Sequence, residues 1–241
     1  MKKFTYLCLA FIFFINVAVT YAQGLYQKGT IELKKGKTIE AYIQIDFRFP
    51  QRFQQSLTYL SPKDYDKSMK TGKIKGSMKQ KLEPKDVEGF TLADGRVFKT
   101  VKYSDLTGKA IKMIPKRMIL EQVADGRICM YKLYSRTTGR IEKELADLTI
   151  GDPKILIDYI QNNFQLLIQK DTDNPRNVIH INLLNYIGDN AQVKQNYDNN
   201  HYGLRNQFSE EKKFGKYVNK DYEAAFLRLL ADYNRGSSGT N

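Results

Sequence analysis

From Thr38 to Phe47 the chain alternates without a break. Ile39, Ala41, Ile43, Ile45 and Phe47 fall on one parity; Thr38, Glu40, Tyr42, Gln44 and Asp46 fall on the other. Successive side chains of a strand point to opposite faces, so a strict period of two predicts a strand with one face on a core and the other in water. Just upstream Thr30-Ile31-Glu32-Leu33 alternates as well, and Lys35-Gly36-Lys37 separates the two runs. That spacing predicts a hairpin, with the glycine supplying the positive φ a tight turn requires.

Two further hairpins repeat at an offset of 31 residues. Leu92-Ala93-Asp94-Gly95-Arg96 runs on to Tyr103-Ser104, and Val123-Ala124-Asp125-Gly126-Arg127 runs on to Tyr134-Ser135. Asp-Gly is a strong hairpin signal where both central turn residues take φ > 0. Convergence on good turn chemistry accounts for two copies without a solenoid. A paired anion site at Arg96 and Arg127 is the functional alternative.

Beyond residue 150 the period changes. Asp152-Pro153 predicts a helix start, since aspartate caps free N–H groups and proline suits the first turn. Ile155, Leu156, Tyr159, Ile160, Phe164, Leu167 and Ile168 then recur at helical spacing, and Asp221 opens a second helix carrying Tyr222, Phe226, Leu229, Leu230 and Tyr233 on one stripe. Residues 170–220 are rich in Asn, Gln, Asp and Tyr, with Ile150-Gly151-Asp152 recurring as Ile187-Gly188-Asp189. The expected architecture is α+β: an antiparallel β-sheet or partly closed barrel over 24–150, followed by a helical C-terminal region over 151–235 packed on the sheet. Residues 236–241 are expected to be a disordered tail, being small and polar.

The first residues change the picture of where the protein works. Lys2 and Lys3 precede an almost continuous apolar run from Phe4 to Val19, and the small residues Thr20 and Ala22 follow. This is the pattern of a cleavable secretory signal peptide over 1–22, with export to the periplasm or medium. No later segment is apolar enough to span a bilayer as a helix. Cys8 leaves with the signal, so Cys129 is the one cysteine of a mature chain of 219 residues, and no internal disulfide is available. Within Ile128-Cys129-Met130-Tyr131 it reads as a buried, inert thiol.

The formal charge is +13, falling to +11 once Lys2 and Lys3 are removed. Outside the cytoplasm a basic surface meets an anionic glycan, a lipid surface or an acidic envelope protein, and no nucleic acid partner is expected. Eight lysines lie between Lys63 and Lys85 against Asp64, Asp66 and Glu83. Solvated loops and an edge strand guarded against pairing would place them there; a binding surface is the other reading. The binding candidates are Lys73, Lys75, Lys79 and Lys81, with Arg48 and Arg52. The two arginines interleave with aromatics in Phe47-Arg48-Phe49-Pro50-Gln51-Arg52-Phe53, a combination that stacks on rings and pairs with anions.

Catalytic signals are few. His180 and His201 are the only histidines and form no closely spaced metal-binding pair; His180, within Val-Ile-His-Ile-Asn, reads as a satisfied structural residue. Asp171-Thr172-Asp173-Asn174 resembles the opening of a calcium loop but lacks its glycine and closing glutamate. No nucleophile elbow, phosphate-binding glycine loop or dinucleotide fingerprint occurs, so no metal, cofactor or catalytic residue is assigned.

Lys28-Gly29-Thr30-Ile31 with Gly36 and Ile39, Pro84-Lys85-Asp86-Val87-Glu88-Gly89-Phe90, the Asp125-Gly126 hairpin and Asp232-Tyr233-Asn234 together have a family look. The chain resembles a group of exported, signal-peptide-bearing proteins of the Bacteroidota with a β-rich N-terminal part and a helical C-terminal part. The resemblance implies a Gram-negative envelope setting and carries over no catalytic residue. The expected function is an exported, non-enzymatic envelope protein that binds an anionic glycan, lipid headgroup or protein partner. The alternatives are a carboxylate-dependent polysaccharide hydrolase and a structural subunit of an envelope assembly.

Overall fold

The structure, a computed structural model, describes residues 25–104, 115–134, 153–204, 218 and 220–237. The signal segment 1–22, the expected cap Asp152 and the Ile150-Gly151 half of the repeat lie outside these residues.

The first alternating runs become β1 (Tyr26–Leu33) and β2 (Thr38–Gln44), paired antiparallel with Ile31 opposite Ile39 and Gly29 opposite Ala41. Their loop is closed by Leu33 N–H donating to the Lys37 carbonyl and Gly36 N–H to the Leu33 carbonyl, each at 2.9 Å. The hairpin of β5 (Val87–Leu92) and β6 (Val97–Tyr103) repeats those two bonds between Leu92, Gly95 and Arg96. Gly36 and Gly95 take φ of 73° and 89°, whereas Asp94 and Asp125 do not take positive φ. The Asp-Gly turns are therefore not the two-residue form expected. In the β1–β2 and β5–β6 loops the glycine alone turns left-handed, closing a three-residue loop.

All strands among the described residues join one sheet in the order β10-β9-β8-β7-β6-β5-β1-β2-β3-β4. The remaining strands are β3 (Leu57–Leu60), β4 (Gln80–Leu82), β7 (Lys116–Ala124), β8 (Ile128–Leu133), β9 (Gln165–Lys170) and β10 (Arg176–Asn177). The sheet is open, with β4 and β10 at its two edges, but it is strongly curled. Leu82 to Val87 is a five-step connection that reaches at most ~18 Å. Four flat interstrand spacings from β4 to β5 would need about 19 Å, and a 3-10 turn at Pro84–Asp86 shortens the reach further. The β2–β3–β4 end must bend over the concave face, which brings the Pro84–Asp86 turn against β7.

That face holds the main core: Ile31, Ile43, Phe90, Phe98, Ile119, Ile128, Leu166 and Ile168 are fully or almost fully buried on it. Helices from both halves of the chain pack on it. The short α1 (Pro50–Gln55) starts with proline and plants Phe53 edge-on to Phe47 and Phe98, at ring separations of 5.4 and 6.2 Å. The C-terminal helix, Lys220–Ser237, buries Tyr222, Phe226, Leu229, Leu230 and Tyr233, the stripe that helical spacing predicts. Each such side chain contributes about 1.5–3 kcal/mol on burial. The helix runs to Ser237, so Gly236 and Ser237 are helical where a disordered tail was expected; each added residue gains a backbone hydrogen bond at little cost.

On the opposite face, α2 (Pro62–Thr71) stacks Tyr65 on Tyr42 with ring centroids 3.5 Å apart. Ser61 caps it by accepting from Asp64 N–H, so three of the eight clustered lysines, Lys63, Lys67 and Lys70, ride on a helix instead of a loop.

The second half departs from expectation. Helix α3 (Pro153–Asn162) stops before Phe164, and Leu166, Leu167 and Ile168 belong to β9 in the interior of the sheet. Leu166 and Ile168 face the main core while Leu167 joins Val101, Leu120, Tyr131 and Leu133 in a second cluster on the other face. Burial on both faces makes a strand read as a continuous apolar run, which mimics helical spacing. Short helices α4 (Leu184–Ile187) and α5 (Ala191–Asp198) follow β10, and the C-terminal helix is α6.

Candidate functional site

The curl of the sheet places the β4–β5 connection beside the ends of β6 and β7. There an open cleft of about 510 Å³ is lined by Glu83, Pro84, Lys85, Lys102, Pro115 and Arg117. Pro84 is buried and begins the 3-10 turn, which leaves Lys85 exposed at the rim. Lys102 on β6 lies directly opposite Arg117 on β7 in the strand register. Their Cβ atoms are then about 4.5–5.5 Å apart, and like charges at that position repel. None of Lys85, Lys102 and Arg117 has an ion-pair or hydrogen-bond partner among the described residues. The one carboxylate of the lining, Glu83, is bonded to Lys81 at 3.2 Å. Among the described residues the cleft therefore presents three cations without an ion-pair partner, two of them opposed across the strand register, against the one carboxylate of Glu83.

Thr100 lies two positions inward from Lys102 on the same face, and its Oγ1 is buried without a hydrogen-bond partner. The two turn arginines, by contrast, are matched. Arg96 is held by Asp94 and Gln27, at 2.8 and 2.9 Å, while Arg127 binds Asp171, Asp189 and the Tyr233 hydroxyl. The two arginines therefore serve separate clusters and form no shared anion site.

Sequence reasoning singled out six basic residues, and the structure distributes them in three places. Lys79 and Lys81 belong to the short edge strand β4 and its start, where lysine discourages pairing with another chain. Lys73 and Lys75 are exposed in the connection from α2 to β4. Arg48 is held by both carboxylate oxygens of Asp46, at 2.8 and 2.7 Å, and Arg52 lies over the Phe49 ring at 4.3 Å. Only Lys81, through Glu83, touches the cleft's lining. Lys102 and Arg117 were missed because their meaning lies in the register: nothing local marks two charges 15 residues apart as facing each other.

The remaining candidate chemistry is accounted for structurally. Asp171 forms part of the β9–β10 turn and bonds Arg127, so the calcium-like run is tied down by an arginine. His180, read as a satisfied structural residue in an apolar run, is exposed in a 3-10 turn that carries Val178 inward and leaves the ring outside. His201 is exposed against Tyr202. Among the described residues no three His, Cys, Asp or Glu side chains gather as metal ligands, and no helix is long and apolar enough to cross a membrane. Cys129 is half-buried; burial pushes its thiol up, away from the reactive thiolate.

Two polar clusters lock the core. In one, Tyr134 donates to Glu121 at 2.6 Å and its backbone exchanges bonds with the Gln54 amide, while Lys132 pairs with Glu223 at 2.6 Å and lies 4.5 Å from the Phe164 ring centre. Burial drives the Tyr134 hydroxyl far above the usual tyrosine range, with the neighbouring Glu121 charge adding to it. In the other, partial burial works against ionised Asp189, but hydrogen bonds from Lys170, Tyr233 and Arg127 prevail and hold its carboxyl at about 2. Both clusters spend their charges on each other.

No protein-family model, curated protein or solved structure matches the chain.

Proposed function

We propose that this is an exported, non-enzymatic envelope protein that holds an anionic partner in the cleft formed by Lys85, Lys102 and Arg117. The observation that carries the reading is the convergence of three unpaired cations on one concavity, two of them opposed across a strand pair. A register that keeps two like charges face to face costs stability, and a bound anion relieves that cost. The exposed Lys73, Lys75, Lys79 and Lys81 extend the positive field beside it and speed the approach of an anionic surface. Export rests on the signal pattern of residues 1–22 and on the resemblance to envelope proteins. Binding is favoured over hydrolysis because the lining offers a single carboxylate, already bonded to Lys81.

The test is binding to an acidic polysaccharide and to anionic vesicles across a salt series. Affinity should fall steeply as ionic strength rises. The K102E/R117E variant should abolish binding while its circular dichroism stays unchanged. Changing Lys73, Lys75, Lys79 and Lys81 to glutamate should slow association more than it weakens the final complex. Undiminished binding by K102E/R117E would remove the cleft from the proposal.

A further inference from the structure

The charges and dimensions of the cleft narrow the class of anion, on the premise that the cleft is a binding site. Three cations converge, and the carboxylate at the rim is already occupied by Lys81. A carboxylate brings one negative charge and two oxygens, and so leaves two of the three cations uncompensated. A phosphate monoester brings a charge of about −1.5 to −2 and three terminal oxygens. One oxygen can then face each of Lys85, Lys102 and Arg117. Arginine presents a planar fork that matches two phosphate oxygens, while lysines act as point charges from the sides. A phosphodiester, with two terminal oxygens and one charge, matches less well.

The rest of the lining suits what carries the phosphate. Pro115 is exposed and gives a rigid apolar surface that can pack on the C–H face of a sugar or glycerol, with buried Pro84 fixing the turn beneath it. At about 510 Å³ the cleft has the size of sites that take one small molecule or headgroup. We propose that it recognises a phosphate monoester on a sugar-sized group, whether free or at the end of a lipid, through Lys85, Lys102 and Arg117.

The experiment uses the protein purified after export by its own leader. Calorimetry compares glucose 6-phosphate, glucuronate and glucose at pH 5 and pH 7.5. Vesicles of phosphatidylcholine containing either phosphatidic acid, a monoester, or phosphatidylglycerol, a diester, supply the lipid arm. The charged groups lining the cleft are Glu83, Lys85, Lys102 and Arg117. The second phosphate proton leaves near pH 6, so monoester binding should tighten several-fold between the two pH values while glucuronate binding barely moves. The monoester should bind at least ten-fold tighter than the carboxylate or the diester, and K102Q/R117Q should erase that preference. Binding of phosphatidic acid vesicles without glucose 6-phosphate would assign the monoester to a lipid; binding of both would assign it to the headgroup alone. Equal or tighter binding of glucuronate or phosphatidylglycerol, still lost in K102Q/R117Q, would overturn this inference and leave the anion-binding reading standing. Binding of none of these anions, or binding indifferent to K102Q/R117Q, would overturn both.

Discussion

Asn234 shows how much a single side chain can carry here. Its Oδ1 accepts from Ile128 N–H at 3.0 Å, and its Nδ2 donates to the carbonyls of Asp125 and Ile128 at 2.9 and 3.0 Å. One amide thus completes the backbone bonding of the β7–β8 turn from the end of α6. Gly126 makes room for it: a Cβ there would lie 2.6 Å from the Asn234 side chain, on a φ of 134°. Asn234→Ala should destabilise the fold by about 1–3 kcal/mol, the cost of stranding backbone groups, and Gly126→Ala should cost at least as much. Urea unfolding of both variants and their double checks this, since the two losses should not add if they break the same contact. The glycine was legible from the sequence as a turn residue; its second reason, a partner 108 positions later, was not. Asp189 gives a residue-scale pH dependence. Its folded pKa lies below the ordinary aspartate value, so its contribution is complete above about pH 4 and is lost as pH falls toward about 2. The stability gap between the wild type and Asp189→Asn should therefore be constant near neutrality and close between about pH 4 and pH 2; a gap that stays open at pH 2 would refute the assignment.

At the scale of elements, the hairpins read easily because their information is local: period two, then a glycine, then period two again. Strand β9 did not, because Leu166, Leu167 and Ile168 are buried on both faces and carry no alternation. Asn162 and Asn163 are the visible break before it, and Asn163 Nδ2 donates to the Tyr159 carbonyl near the end of α3. The candidate site shows the same division. The lysine-rich run was visible as composition, whereas the facing of Lys102 and Arg117 required knowing which strands pair and in what register. The sheet's edges make a prediction of their own. Strand β4 has three residues and β10 two, and β4 exposes Gln80 and Lys81 beside Lys79. Short, charged edges resist joining another sheet. Lys79→Val with Lys81→Val should therefore promote self-association, seen as light scattering that grows with protein concentration and warming. The far variant Lys63→Val with Lys67→Val, on the exposed helix α2, should scatter no more than the wild type.

The whole molecule depends on closing α6 over the concave face, and charge as well as apolar packing holds it there. The stripe from Tyr222 to Tyr233 brings Glu223 down onto the sheet, where it meets Lys132 of β8 at 2.6 Å. Glu121 stands directly opposite Lys132 across the β7–β8 register and accepts from Tyr134, so Lys132 sits between two carboxylates that are each less than a tenth exposed. The arrangement is unequal, and that inequality is testable. Removing Glu223 leaves Lys132 with Glu121 still across from it. Removing Lys132 leaves both carboxylates in a poorly solvated space, with the Tyr134 hydroxyl still donating to Glu121, and breaking a buried pair from one side typically costs about 3–5 kcal/mol. Lys132→Met should therefore destabilise more than Glu223→Leu, by a margin visible as a lower urea midpoint. The double variant Lys132→Met with Glu223→Leu should recover part of the loss, because apolar pairs of similar volume pack without a desolvation cost. Hydrogen exchange locates the effect: in Lys132→Met, α6 should lose protection while α2, on the other face, keeps its own. Equal losses in the two single variants, or unfolding of both helices together, would mean that the charges follow the packing and do not help to position the helix.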